Sequence, residues 1–535
     1  MILFKIKDFN TYKFLERHQI MFINQKLSLT DILGSNYTGA VAAANEALGY
    51  MSADEAQKIA DEKVAFLPED KQKKNDDMLS KVGDILIPPF ENKLMGAGTD
   101  SFMKAASNSM APLAGFGTYR LGENGRLYLI GKSEHYHTPL GHRFDGYKLI
   151  DNAKKLNILN ATHNNTRGYI TRLMETRLVQ SANGIEWEDE AATAKTLVSR
   201  EPKVLNRVIN LETGSLAVEA GVKMMLSRFY KVDPTYDTPK YSGKTPVFFI
   251  IGDKNGGVEG NYHGTTVLTQ TFRGLWPDFR EKAETGDLYK VVPVAINDIS
   301  DFETKIKKYN EGKYKTAGFL HEIILMNYGG IKLTREFLKG AYELCREYDT
   351  PTMCDEIQSC MWYKGMFLFR LYDLNPDFVI LGKGFPGGEY PASRIITTAE
   401  MDTLVQFGAL VTNGQEELAS LSYLITMTFM RENGDLVAEM GAKFDEGLKA
   451  LHEKYPDTLL NAEGLGHLAA LHFQSVEKAA AFAGKLKDAC IDASAQIYKA
   501  NCLPAVLLKP PVISTPAVVD YIISKIDELL ASDAE

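Results

Sequence analysis

No apolar run in this chain of 535 residues approaches the ~18 consecutive residues of a membrane-spanning helix. Cysteine is scarce: Cys345, Cys354, Cys360, Cys490 and Cys502 form no CxxC pair and follow no disulfide-framework spacing, so they read as reduced, mostly buried thiols. Positive charge is not in excess either. Lys and Arg number 60 against 69 Asp and Glu, a net charge of -9, which argues against nucleic acid or an anionic membrane as the main partner. Internal repeats and low-complexity segments are missing, which excludes solenoid and linker-like classes. The opening "MILFKIKDFNTYKF" alternates apolar with charged residues and lacks the continuous apolar core of a signal peptide. What remains is a cytoplasmic enzyme with small-molecule partners, at 45% hydrophobic and 24% charged residues an ordinary globular composition.

Along the chain the pattern changes character. Residues 1–110 read as helix-rich, with Ser52 and Glu55 forming a capping box for a helix through "DEAQKIADEKVAFL". Short strands and turns follow over 111–160. Strands then alternate with helices over 161–430: "RVINL" with "GSLAVEAGVKMMLSRF", "TPVFFII" with the segment after His263, "AGFLHEIILM" with "TREFLKGAYELCREY", then "FVIL". Such alternation predicts an open, mostly parallel sheet covered by helices on both faces, so the fold class is α/β. An α+β block over 431–535 closes the chain. Its last helix opens at "STP", where Ser514 or Thr515 can cap and Pro516 can sit in the first turn.

In sheets of this kind ligands gather at the carboxyl ends of strands. "TMCDEIQ" puts Asp355 and Glu356 at one such end, and "FVILGKGFPGG" puts Lys383 at another, between two glycines. A phosphate loop does not explain this lysine, because Gly384 follows it where Ser or Thr is required. "GRLYLIGKS" and "TPKYSGKT" fail as well, with Arg126 and Thr238 at the position of the first glycine. His135, His137 and His142 in "HYHTPLGH" lack a Cys or carboxylate at zinc spacing, so they fit pocket lining or turn capping better than a metal site, and no metal is expected.

A lysine used as a Schiff-base amine needs rigid support and room around it, which a strand end followed by small residues provides. Pyridoxal phosphate then requires a carboxylate for its ring nitrogen, a helix N-terminus for its phosphate and an aromatic face. Asp355 is the carboxylate candidate, although an Asp after a strand is more often a helix cap. Gly214 and Ser215 open a helix whose Ala217, Ala220 and Met224 share one face, and Tyr262 offers a ring. Each feature alone has a bland reading as a capped core helix or a loop tyrosine; the combination is what carries information.

In order and spacing, the blocks "ENGRLYL", "LGH", "TGSLAVEA", "YHG", "HEII", "DEIQ", "LGKG" and "KPPV", from Gly115 to Leu530, resemble the class III pyridoxal-phosphate-dependent aminotransferases of fold type I. The resemblance implies a large sheet domain that binds the cofactor, a smaller α+β domain, and a helix-rich N-terminal extension of this chain's own. It implies that Lys383 forms the Schiff base, Asp355 pairs with the ring nitrogen and Gln358 approaches the ring hydroxyl. By the same resemblance Gly214 and Ser215 hold the phosphate, Tyr262 stacks on the ring with His263 beside it, and Glu322 lines the pocket. Thr412 would reach the phosphate of a neighbouring subunit, implying a homodimer with shared sites. The implied activity is ping-pong transfer of an amino group from an amine or amino acid to a keto acid or aldehyde. The alternatives are an aminomutase, racemase or decarboxylase on the same fold, or a non-catalytic binding protein.

Three departures mark a divergent member. Leu216 stands where the family usually has an acidic residue, "NGQEELA" lacks the usual Asn-Pro, and residues 1–110 precede the family region. A fourth bears on substrate. Relatives acting on amino acids commonly carry an arginine three residues before the first proline of the final Pro-Pro, and here that position is Leu507. "AVLLKPPV" reads as extended, so Lys509 shares the face of Leu507 and could supply a point charge, though not a bidentate fork. Arg394 is a second possible anchor, although a strand-end arginine is more often a surface ion pair.

Overall fold

Seven strands form the central sheet of the computed structural model, which describes residues 21–163, 165–252, 260–496 and 503–534. In chain order they are β1 (Leu205–Leu211), β2 (Thr245–Ile251), β3 (Lys290–Val294), β4 (Tyr314–His321), β5 (Thr352–Asp355), β6 (Phe378–Leu381) and β7 (Ser393–Thr398). Their order across the sheet is β1-β7-β6-β5-β4-β2-β3, and β7 alone runs antiparallel to its neighbours. Parallel strands bury both faces, which is why β2 is a continuous run of buried residues. Val247, Phe249 and Ile251 face one core cluster while Phe248 and Ile250 face another. The second cluster is closed by helix α1 (Gly214–Leu226) through Ala217, Ala220 and Met224; the first is closed by α2 (Arg335–Glu347) and by the 38-residue α3 (Glu417–Lys454).

A four-stranded antiparallel sheet follows, built from β8 (Leu459–Leu465), β9 (Leu468–Phe473), β10 (Ser494–Gln496) and β11 (Ala505–Leu508) in the order β8-β9-β11-β10. Its two faces diverge by the two-residue period. Val506 and Leu508 join a core with α4 (Val476–Asp488) and α5 (Pro516–Ala534), whereas Ala505 and Leu507 face the large core. The three strands Pro112–Phe116, Tyr119–Gly122 and Leu127–Leu129 form a further antiparallel sheet, and Tyr119, Leu127 and Leu129 share the core of α4 and α5. At the start of α5, Thr515 caps the Val518 N–H and Pro516 is the first helical residue.

Five α-helices lie between residues 21 and 110, among them Ala53–Asp61 with the expected Ser52–Glu55 capping box. That helix is shorter than its sequence pattern predicts. Val64–Ala65 pairs instead as a strand with Lys26–Leu27, and Phe66 and Leu67 are buried beyond it, so long-range pairing ends a helix that local periodicity would continue. The signal-peptide reading of the first residues and the burial of Cys502 lie outside the described residues. The other four cysteines are free and buried, and no described helix is long and apolar enough to cross a membrane.

Candidate active site

The expected residues converge at the carboxyl edge of the central sheet. β5 ends at Asp355, Glu322 follows β4, Lys383 follows β6, and Gly214 opens α1 three residues beyond the end of β1. Asp355 is buried; its Oδ2 lies 2.9 Å from His263 Nδ1, and its Oδ1 accepts the Ile357 N–H at 3.1 Å. His263 therefore contacts the carboxylate directly. Glu322 is also buried, accepting Asn261 Nδ2 at 2.8 Å and Gln358 Nε2 at 2.9 Å. Burial, then the Asp355 charge, push the Glu322 carboxyl well above its usual range against those two donors.

Lys383 adopts a left-handed backbone (φ 31°), a conformation costly for a residue with a Cβ and concentrated at functional sites. Its Nζ lies 3.4 Å from the His135 carbonyl and 5.5 Å from the centre of the Tyr136 ring. Burial lowers its proton affinity, while Glu322 and Asp355 pull the other way. An open groove of about 580 Å³, lined by Arg120, Lys132, His135, His137 and Lys487, adjoins the lysine through His135.

At the opposite side, the N-cap of α1 is Thr213, whose side chain makes no capping bond, leaving the helix start open to an anion. Ser215 Oγ accepts the Thr265 N–H at 3.1 Å. Gly264 packs so close that a Cβ there would lie 3.0 Å from Ser215 Cα, and its φ of +136° also favours glycine. Tyr262 is half-buried with the Arg273 guanidinium 5.6 Å from its ring centre. Buried polar atoms remain unpartnered around the cleft: Gln358 Oε1, Asn261 Oδ1 and His263 Nε2. Unsatisfied buried acceptors and donors are costly, and their clustering beside an open helix start and a desolvated lysine fits a polar cofactor with a phosphate. Thr412 lies exposed in a turn, and no hydrogen bond links it to Gly214 or Ser215 among the described residues.

Residues 141–530 match the family model for aminotransferase class-III. The chain belongs to that family. Among its relatives, an ornithine aminotransferase of Exiguobacterium sp. is 27% identical over 334 residues, covering 61% of this chain and 75% of the relative. A putrescine aminotransferase of Pectobacterium atrosepticum is 26% identical over 301 residues, covering 55% of this chain and 60% of the relative. The structure of a transaminase from the marine bacterium Virgibacillus shares the fold, with a TM-score of 0.64 at 16% identity over 85% of this chain and 98% of the other. This class III aminotransferase is thus a divergent, pyridoxal-phosphate-dependent transaminase.

Neither expected carboxylate anchor is available in the transaminase. Arg394 is not a surface ion pair: it is fully buried in β7, donates to the carbonyls of Leu211 at 3.0 Å and Ser393 at 2.8 Å, and lies 5.0 Å from the Tyr423 ring centre. Lys509 does share the inward face of Leu507, yet it has no solvent exposure and donates to the Gln358 carbonyl. Sequence reasoning passed over Asn261, Thr265 and Tyr136. Asn261 and Thr265 flank "YHG" and were within reach of that motif; nothing local marks Tyr136.

Proposed function

We propose that the donor is a compound with a primary amine on an unbranched terminal carbon, carrying no carboxylate at the reacting carbon. The observation that carries this reading is Leu507 at the arginine position, with Arg394 and Lys509 both committed to contacts inside the protein. The groove beside His135 gives such a chain room to extend. The ornithine and putrescine aminotransferases among the relatives, named for compounds with terminal amines, support it.

Bound pyridoxal phosphate supplies the electron sink for charge developing on the donor carbon. Lys383 would hold the cofactor and, when free, would serve as the base that moves the donor-carbon proton, a role that its burial-lowered proton affinity favours. Asp355, oriented by His263, would hold the ring nitrogen protonated, and Gln358, braced by Glu322, would meet the ring hydroxyl. Gly214, Ser215 and Thr265 would bind the phosphate, Tyr262 would cover the ring, and Thr412 would complete the phosphate site of a partner subunit in a homodimer. A keto acid or aldehyde then takes the amino group in a ping-pong cycle. Cysteines without a disulfide pattern support action in the cytoplasm. The core that joins Tyr119 and Leu127 to α4 and α5 supports assigning residues 111–160 and 431–535 to one small domain beside the large cofactor domain of 161–430.

The test compares a standard α-amino acid with its decarboxylated amine. A lost bidentate charge-assisted contact is worth about 1.5 to 3 kcal/mol, or roughly ten- to a hundred-fold in affinity, so the amine is expected to win in kcat/KM. A hundred-fold or greater preference for the amino acid would refute the reading.

A further inference from the structure

Lys509 is a fully buried amine that the reaction outlined above does not use. Its backbone ties it to the segment over the catalytic lysine, because its N–H donates to the Gly131 carbonyl at 2.7 Å and its carbonyl accepts Ser133 Oγ at 2.6 Å. The four residues that follow that anchor, Ser133, Glu134, His135 and Tyr136, all have left-handed backbones, with φ of 49°, 49°, 59° and 72°. Each such residue costs about 1–2 kcal/mol, so the turn persists only because it is pinned. Glu134 supplies a second pin: it pairs with Arg120 and lies 2.9 Å from His142, while Arg120 also reaches Asp492 at 3.2 Å.

The turn directs the Tyr136 ring inward. Lys509 Nζ lies 4.5 Å from its centre and Lys383 Nζ 5.5 Å, so one ring contacts both amines. Lys509 also sits 3.5 Å from the centre of the Trp362 ring and donates to the carbonyl of Gln358, the residue expected at the cofactor's ring hydroxyl. Aromatic faces and a carbonyl favour a cation, whereas two neighbouring cations without solvent disfavour each other.

We propose that Lys509 is a positioning residue whose cation, held against the Tyr136 and Trp362 rings and the Gln358 carbonyl, disfavours a second proton on the Lys383 nitrogen, so that Lys383 stays free to act as a base. This rests on Lys383 being the cofactor lysine. The titratable groups facing the pair are Glu322, Asp355 and Cys360 from the strand-end loops, His135 and His137 from the left-handed turn, and His467 near α3. Burial pushes the Glu322 carboxyl and the Cys360 thiol up and the three histidines down. Burial lowers the proton affinity of both lysines, and at Lys509 the Tyr136 and Trp362 rings and the Gln358 carbonyl offset it.

The experiment titrates the absorbance of the bound cofactor against pH in the holoenzyme without donor, for wild type, Lys509→Met and Lys509→Arg. Removing a like charge should raise the midpoint in Lys509→Met by about one pH unit, while Lys509→Arg, which keeps the charge, stays at or below wild type. An unchanged midpoint in Lys509→Met, or equal upward shifts in both variants, overturns the proposal. If Lys509→Met fails to take up cofactor, Tyr136→Leu decides: it keeps both amines and strips the ring that contacts them, so a downward shift supports the proposal and no shift refutes it. Because no donor is present, failure here is distinct from failure of the donor assignment, and a wild type whose bound cofactor is not linked to Lys383 would instead remove the premise.

Discussion

Glu356 follows Asp355 at the end of β5 and is fully buried, accepting the Phe369 N–H at 2.6 Å and the Ser359 hydroxyl at 2.6 Å. Burial outweighs those donors and raises its carboxyl from the ordinary 4.5 to about 7. In the unfolded chain the proton leaves near the ordinary value, while the folded chain keeps it to about 7, so stability falls as pH rises through that interval. At about 1.4 kcal/mol per pH unit, the loss from this one group totals about 3 kcal/mol above neutrality. Glu356→Gln cannot ionise, so it removes this loss while keeping one acceptor in place. Relative to wild type, the variant should therefore gain thermal stability between about pH 5 and about pH 8, with any fixed cost of the amide cancelling between the two conditions. The assay is the thermal midpoint followed by circular dichroism at both values. If the difference between variant and wild type is the same at both, Glu356 does not carry a raised carboxyl and the argument from its burial fails.

Asp355→Ala should retain cofactor through the phosphate site but slow donor-proton removal, as measured by single-turnover absorbance changes; unchanged turnover would remove Asp355 and its partner His263 from the mechanism. Lys383→Ala should lose the borohydride-reducible lysine adduct. Mixing it with a Thr412 variant impaired in phosphate binding should restore part of the activity through mixed dimers that carry one site free of both lesions. Demonstrated subunit exchange without recovery would place Thr412 outside the partner's site.

The sequence by itself determined the sheet and the chain positions of its strand ends. Apolar runs such as "TPVFFII" and the helical periods between them are local signals, and the crossover rule for parallel strands turns them into an order of elements with Asp355 and Lys383 on one edge. Capping at Ser52 and Thr515 was legible for the same reason, since a cap acts within three residues. Tertiary structure decided the rest. Val64 left its predicted helix because Leu27, far along the chain, offered a strand partner. Arg394 looked like a surface charge, yet β7 lies between β1 and β6, and its guanidinium is held by two carbonyls and the Tyr423 ring. The left-handed turn at Ser133–Tyr136 has no glycine to announce it, because its strain is offset by anchors from Arg120, His142 and Lys509. Periodicity could place Lys509 on the face of Leu507, but only the meeting of that face with Trp362, Tyr136 and Gln358 decides that its charge serves the protein's interior rather than a substrate. Local patterning reports what a segment prefers; where a side chain loses its water depends on what the rest of the chain packs against it.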